Sequence, residues 1–300
     1  MDSVLTLICD PLNPDLDSSI VSEAAAALNA QGGETGTPDW LSDGVACDIV
    51  FGGISLSDAC AAVDLHLQGF PVDIAAQTLD GRRKKLLVAD MDSTIVTSET
   101  LDELADYAGH GEDVVKITAR AMNGEVGFAD ALRERVALLE GLEADALEKT
   151  MARVNMTSGA ETLVGTMAAN GAKALLVSGG FTYFTERVRD MAGFARDMGN
   201  TLEIEGGKLT GRVIEPIVNN VVKLQALQDF ATDNGVGVGD VLAVGDGAND
   251  LDMLQAAGTG VAYHAKPVVS ARARIRIEHA DLTALLYLQG YRKSDFIVPA

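Results

Sequence analysis

The sequence predicts an α/β fold, a doubly wound parallel sheet interrupted by a helical insertion and preceded by a smaller α+β unit. Three observations predict it. Short unbroken apolar runs alternate with helical segments, as parallel strands buried on both faces do. Residues 99–156 hold almost no strand pattern and break that alternation after its first strand. The first eighty residues carry a tighter rhythm of their own.

That N-terminal rhythm begins with SVLTLIC (3–9), read as a strand, and SSIVSEAAAALNAQGG (18–33), read as a helix with a serine cap and terminating glycines. A strand VACDIVFGG (45–53), a serine-opened helix (55–70) and a strand VDIAAQTL (72–79) follow. Two β-α-β-like halves in so short a span predict a ferredoxin-like or ACT-like module over residues 1–80. The charged stretch DGRRKK supplies a linker, residues 81–85, and residues 86–300 form the main unit.

In the main unit the buried strands are LLVA (86–89), KALLVS (173–178), VLAVG (241–245) and GVAYH (260–264). Residues 200–216 differ: two short strands flank Gly206-Gly207, a hairpin signal. Within 99–156, residues 113–122 and 128–141 have helical patterning. An all-helical insertion after the first strand lies over the carboxyl ends of the strands, where open α/β sheets bind ligands.

Composition narrows the function. The formal charge is −21, the wrong sign for broad nucleic-acid or anionic-membrane binding. No apolar run reaches 18 residues, and the acidic start MDSVLTLICDPLNP is no secretory signal. Three cysteines without CxxC spacing predict reduced, buried thiols and a cytoplasmic protein, and four scattered histidines offer no zinc cluster. An anionic substrate would need positive charge supplied locally, by a few basic residues or by a metal ion.

The chemistry-bearing residues sit at strand tips. LLVA runs directly into Asp90 and Asp92, which in extended chain point to one side. Two aspartates capping a strand in solvent would be the bland alternative. GDGANDLDM (245–253) follows another buried strand and adds Asp246 and Asp250, with Gly245 and Gly247 allowing a tight bend. If the two strands are neighbours, these carboxylates converge and need a hard divalent cation such as Mg²⁺. Ser178-Gly179-Gly180 ends a third strand before a helix, a phosphate cradle in that setting though no stronger than a loop alone. Lys223 opens a helix, and composition alone reads it as solvated.

The ordered set Asp90–Thr94, Ser178–Phe181, Lys223 and Gly245–Asp250 resembles the haloacid dehalogenase-like phosphotransferases. The resemblance spans about residues 84–290. Its segments ETLDELADYAG (99–109) and AMNGEVGFADALRERVALL (121–139) look like those of the phosphoserine-hydrolysing branch. It implies a Rossmann-like core with a helical cap, covalent catalysis and Mg²⁺.

On that resemblance Asp90 is the nucleophile and Asp92 the general acid and base, a role worth ~10²–10⁴ in rate. The metal would be held by Asp90, the backbone carbonyl of Asp92 and Asp246, with Asp250 holding its waters. Ser178, the Gly179 N–H and Lys223 would bind phosphoryl oxygens, and Thr94 would orient the loop. Glu99 would meet the ammonium of phosphoserine and Arg135 its carboxylate. Met122 and Phe128 would exclude water, and Asn249 would complete the substrate side of the metal loop.

The implied activity is hydrolysis of O-phospho-L-serine, the final step of serine synthesis. The alternatives are a phosphatase or phosphotransferase of the same family acting on another small phosphomonoester, or an amino-acid-responsive binding protein, which the intact carboxylates oppose. Neither nucleic acid nor membrane is expected as a partner, and a homodimer is left open.

Overall fold

The computed structural model describes residues 1–122 and 125–298. Its N-terminal unit runs β1 (Ser3–Cys9), α1 (Ser18–Ala30), β2 (Glu34–Thr35), β3 (Asp39–Ser42), β4 (Ala46–Gly52), α2 (Leu56–His66) and β5 (Val72–Thr78). The sheet is antiparallel, ordered β2-β4-β1-β5, with β3 on β4. The short strands β2 and β3 lack a periodic run long enough to be legible in sequence. Asp17 rather than a serine caps α1, because its carboxylate accepts from the Ser19 and Ile20 N–H groups. Ser55 caps α2 as expected, accepting from the Asp58 N–H.

Strand periodicity explains how this unit sits. Leu5, Leu7 and Cys9 on β1, with Cys47, Ile49 and Phe51 on β4, pack under the helices. The alternate residues Ile8, Ala46 and Ala75 join the core of the main unit. Both faces are therefore covered. Polar residues on the second face are spent on docking. Asp73, 5% exposed, accepts backbone N–H bonds from Glu278, His279 and Ala280 at 2.7–3.2 Å. Gln77 donates to the Leu288 carbonyl. The basic connection is clamped as well: Arg82 pairs with Asp48 at 2.7 Å, and the Lys84 N–H donates to Gln289.

The main unit contains β6 (Leu86–Ala89), α3 (Thr100–Tyr107), α4 (Gly111–Met122), α5 (Phe128–Ala137), α6 (Asp145–Met151), α7 (Ala160–Ala169), β7 (Lys173–Phe181), α8 (Thr182–Ala192), β8 (Arg196–Glu205), β9 (Lys208–Ile214) and α9 (Asn220–Asp233). It ends with β10 (Val241–Gly245), α10 (Leu251–Ala256), β11 (Thr259–Tyr263), α11 (Pro267–Ser270), β12 (Ile275–Ile277) and α12 (Ala284–Leu288). The seven-stranded sheet has the order β12-β11-β10-β6-β7-β8-β9. All pairs are parallel except β8 with β9, so the sheet is mixed and mostly parallel rather than purely parallel. The exception is the hairpin expected at Gly206-Gly207, whose φ values of 59° and 83° suit glycine.

Helices α3–α6 occupy the insertion. Its two ends are joined where Val96 bridges Met156, with the Thr97 N–H on the Asn155 carbonyl and the Thr157 N–H on the Ile95 carbonyl. The block also leans on the hairpin, through the Gly141 N–H to the Leu209 carbonyl and Arg133 to Glu215 at 2.6 Å.

Candidate active site

The strand β6 lies centrally between β10 and β7, so three strand tips meet. The Asp90 N–H donates to the Val244 carbonyl at 3.0 Å, carrying the ladder with β10 one residue past the strand end. The chain then turns tightly. Ser93 adopts φ 55°, and the Val96 N–H returns to the Met91 carbonyl. A hydrophobic strand runs into charges because its end delivers Asp90 into the gap between neighbouring tips.

Lys223 ties the cluster together. Its Nζ lies 2.6 Å from Asp90 Oδ1 and 2.7 Å from Asp250 Oδ1, and the side chain is 0% exposed. The solvated reading of this lysine is thus overturned. Asn219 caps α9, and Lys223 lies on the face of that helix buried with Ala226, Leu227 and Phe230. Burial alone would lower its pKa, but the flanking Asp250 and Asp90 charges outweigh that and raise it.

Carboxylate oxygens of Asp90, Asp246 and Asp250 all lie within 4.8 Å of one another. Asp250 is well held, with Oδ1 on Lys223 and Oδ2 accepting the Gly247 N–H at 2.9 Å. Asp246 is poorly held, by Thr94 Oγ1 at 3.4 Å and Lys266 Nζ at 3.5 Å. Burial, then the Asp90 charge, raises Asp246 to about 6. The same two causes raise Asp250 to about 7, against Lys223. Gathered, buried, under-neutralised carboxylates are a donor set that fits a hard divalent cation. Gly245 is required here, since a Cβ on it would lie 2.5 Å from Asp250 Cγ.

Asp92 points across to β7: a Cβ on Gly180 would lie 2.6 Å from its Oδ2. Its Oδ1 accepts the Thr100 N–H at 3.1 Å, at the start of α3. Burial raises its pKa well above the usual range, reinforced by Glu99 and then Asp90. Ser178 is buried and its Oγ accepts the Gly180 N–H at 2.8 Å, so its hydroxyl proton is available. Strand β7 continues through Phe181, three residues past the expected end.

At the mouth, Glu99 accepts from Ser93 Oγ at 2.8 Å. Arg135 is partly buried on α5, which lowers its pKa, while Asp102, Glu99 and Asp92 act in the other direction. The ring of Phe128 sits against Gly179, with its Cζ 2.9 Å from where a Cβ would stand. Asn249 Oδ1 lies over Gly247. Met122 closes α4, and its side chain lies outside the described residues.

Sequence reasoning missed two contributors. Asn200, 1% exposed on β8, donates to the Gly179 carbonyl at 2.7 Å and accepts the Val218 N–H at 2.8 Å, fixing the cradle to the approach of α9. Only a lone polar residue in a strand marked it. Lys266 follows β11 in the segment AKP, a fourth strand tip that the sequence reading passed over.

The model of the haloacid dehalogenase-like hydrolase family matches residues 87–255. The chain is 46% identical over 204 residues to a phosphoserine phosphatase of Archaeoglobus fulgidus, covering 68% of this chain but 59% of that protein's length. It is 45% identical over 199 residues to the phosphoserine phosphatase of Streptococcus thermophilus, covering 66% of this chain and 93% of that one. A solved phosphoserine phosphatase in a phospho-aspartyl intermediate analogue form superposes with a TM-score of 0.65 at 39% identity, over 68% of this chain and 98% of that chain. The match covers the strand tips bearing Asp90, Ser178 and Asp246 together with Lys223, and on it the chain belongs to the haloacid dehalogenase-like hydrolase family.

Proposed function

We propose that the protein is a Mg²⁺-dependent phosphatase that hydrolyses O-phospho-L-serine to serine and phosphate, the last step of serine synthesis, in the cytoplasm. The observation that carries the reading is the cluster itself: Asp90 at 2.6 Å from buried Lys223, with Asp246 and Asp250 in reach of a shared ion. The phosphoserine phosphatases among its relatives supply the substrate.

Asp90, Asp246 and the backbone carbonyl of Asp92 would hold Mg²⁺, with Asp250 steadying its waters. When bound, the ion screens the attacking carboxylate from the phosphate. A free Asp90 oxygen attacks phosphorus while the ester P–O bond breaks, giving an aspartyl phosphate. Asp92, its proton retained by burial and neighbouring negative charge, protonates the departing serine oxygen. It then takes a proton from the water that cleaves the aspartyl phosphate and restores Asp90. Lys223, Ser178 and the Gly179 N–H offset the charge on the phosphoryl oxygens.

Glu99 and Arg135 read the substrate's ammonium and carboxylate, one partner for each sign. Phe128 against Gly179 excludes water from the reacting centre. Residues 99–156 act as the cap on a core formed by 86–300, and residues 1–80 as an ACT-like, ferredoxin-like module. Phosphate release across a panel of phosphomonoesters, with Mg²⁺ and with chelator, tests the reading. It expects phospho-L-serine to be strongly preferred and the chelator to abolish turnover. Preference for another ester, or turnover indifferent to chelation, refutes it.

A further inference from the structure

The backbone of Lys266 is pinned beside the metal loop. Its N–H donates to the Asp246 carbonyl at 3.1 Å, and its own carbonyl accepts from Val269 and Ser270 at 2.8 and 3.1 Å. Pro267 opens the one-turn α11 immediately after it. The side chain is less constrained. Its Nζ stands 3.5 Å from Asp246 Oδ2 and the side chain is 42% exposed, whereas Lys223 is 0% exposed with contacts of 2.6 and 2.7 Å.

The two lysines divide the carboxylates. Lys223 is taken by Asp90 and Asp250 and influences Asp246 more weakly, so the ammonium paired directly with Asp246 is that of Lys266. The same ammonium bears on Glu99, Asp102 and Asp90. A divalent ion bound by Asp246 would meet this positive charge at close range. A flexible four-carbon stem lets the ammonium withdraw toward solvent, which the buried Lys223 cannot do.

We propose that Lys266 is a positioning residue that holds the Asp246 carboxylate until a divalent cation takes it, so that lysine and cation compete for one ligand. The proposal rests on reading the site as one that binds a divalent ion. It makes Lys266 oppose the metal while favouring the anionic substrate, two effects of opposite sign from one charge.

The test is calorimetric titration of the full chain with Mg²⁺ alone, for wild type, Lys266→Met and Lys266→Arg, alongside KM for phospho-L-serine. Loss of the charge is expected to tighten Mg²⁺ about 3- to 10-fold and to raise KM by about the same factor, the modest size following from partial exposure. Lys266→Arg should restore both toward wild type. General loosening of the site would instead weaken metal and substrate together. Unchanged or weaker Mg²⁺ binding by Lys266→Met, with Lys266→Arg folded and wild-type-like, overturns the proposal. A wild-type chain that takes up no Mg²⁺ overturns the divalent reading, and this proposal with it. The titration needs no turnover, so a chain that binds Mg²⁺ but does not hydrolyse phosphoserine still decides the role of Lys266.

Discussion

Asp73 and Asp246 are both 5% exposed, yet they live in opposite circumstances. Asp73, at the face where the N-terminal sheet docks, accepts N–H bonds from three successive residues. Asp48, on β4 of the same sheet, has Arg82 and Thr6. Asp246, at the strand tips, has a threonine at 3.4 Å and a half-exposed lysine at 3.5 Å. Burial removes a carboxylate from water at considerable cost and raises the pKa of Asp73 as well as that of Asp246, but at the structural site three N–H donors offset part of it. The comparison separates a buried acid that builds the fold from one whose weaker neutralisation suits the proposed divalent ion.

The largest effect expected at the candidate site is from Asp90→Asn. Phosphate release from phospho-L-serine should fall by more than ~10³-fold with the melting temperature little changed, since the proposed nucleophile is lost and the shape kept. Appreciable turnover in that variant would remove Asp90 from its role. On the structural side, Asp73→Ala leaves three docking-face N–H groups without their partner, that of Ala280 buried, and should cost about 1–3 kcal/mol of stability by denaturant titration, while folded enzyme keeps its rate. A large activity loss without a stability loss would erase the distinction between the two aspartates.

Arg135→Ala comes next. It should lower kcat/KM for phosphoserine by about 10²-fold and for an aryl phosphate by only a few-fold, because only the former carries a carboxylate to pair. Asn200→Ala, which strips the Gly179 carbonyl and the Val218 N–H of their partner, should cost about 10-fold in kcat/KM and about 1–3 kcal/mol. This residue is the intermediate case, a satisfied buried group that serves the site.

The smallest effect is a pH dependence. The folded pKa of Asp246, about 6, exceeds its unfolded value. Between the two, the folded chain keeps a proton that the unfolded chain has lost. Metal-free protein should therefore gain stability from this residue as pH falls through about 6. Mg²⁺ should stabilise at pH above that value and lose its hold below it. Asp246→Asn should flatten both trends in a melting-temperature series.

The sequence by itself determined the central elements and the strand tips that carry the candidate site. Unbroken apolar runs fixed the central strands, since a strand covered on both faces has no polar side to display, and the Asp, Ser-Gly-Gly and Gly-Asp-Gly segments at their ends marked three tips. Tertiary structure alone decided the rest. Lys223 carries no local sign of burial, because what neutralises it comes from residues 133 and 27 positions away. Asn200 and Lys266 gain their roles from neighbours across the sheet, and sheet order is set by long-range pairing that no local pattern encodes. Local periodicity reports which face a residue presents; which charge it will meet there depends on parts of the chain that only folding brings near.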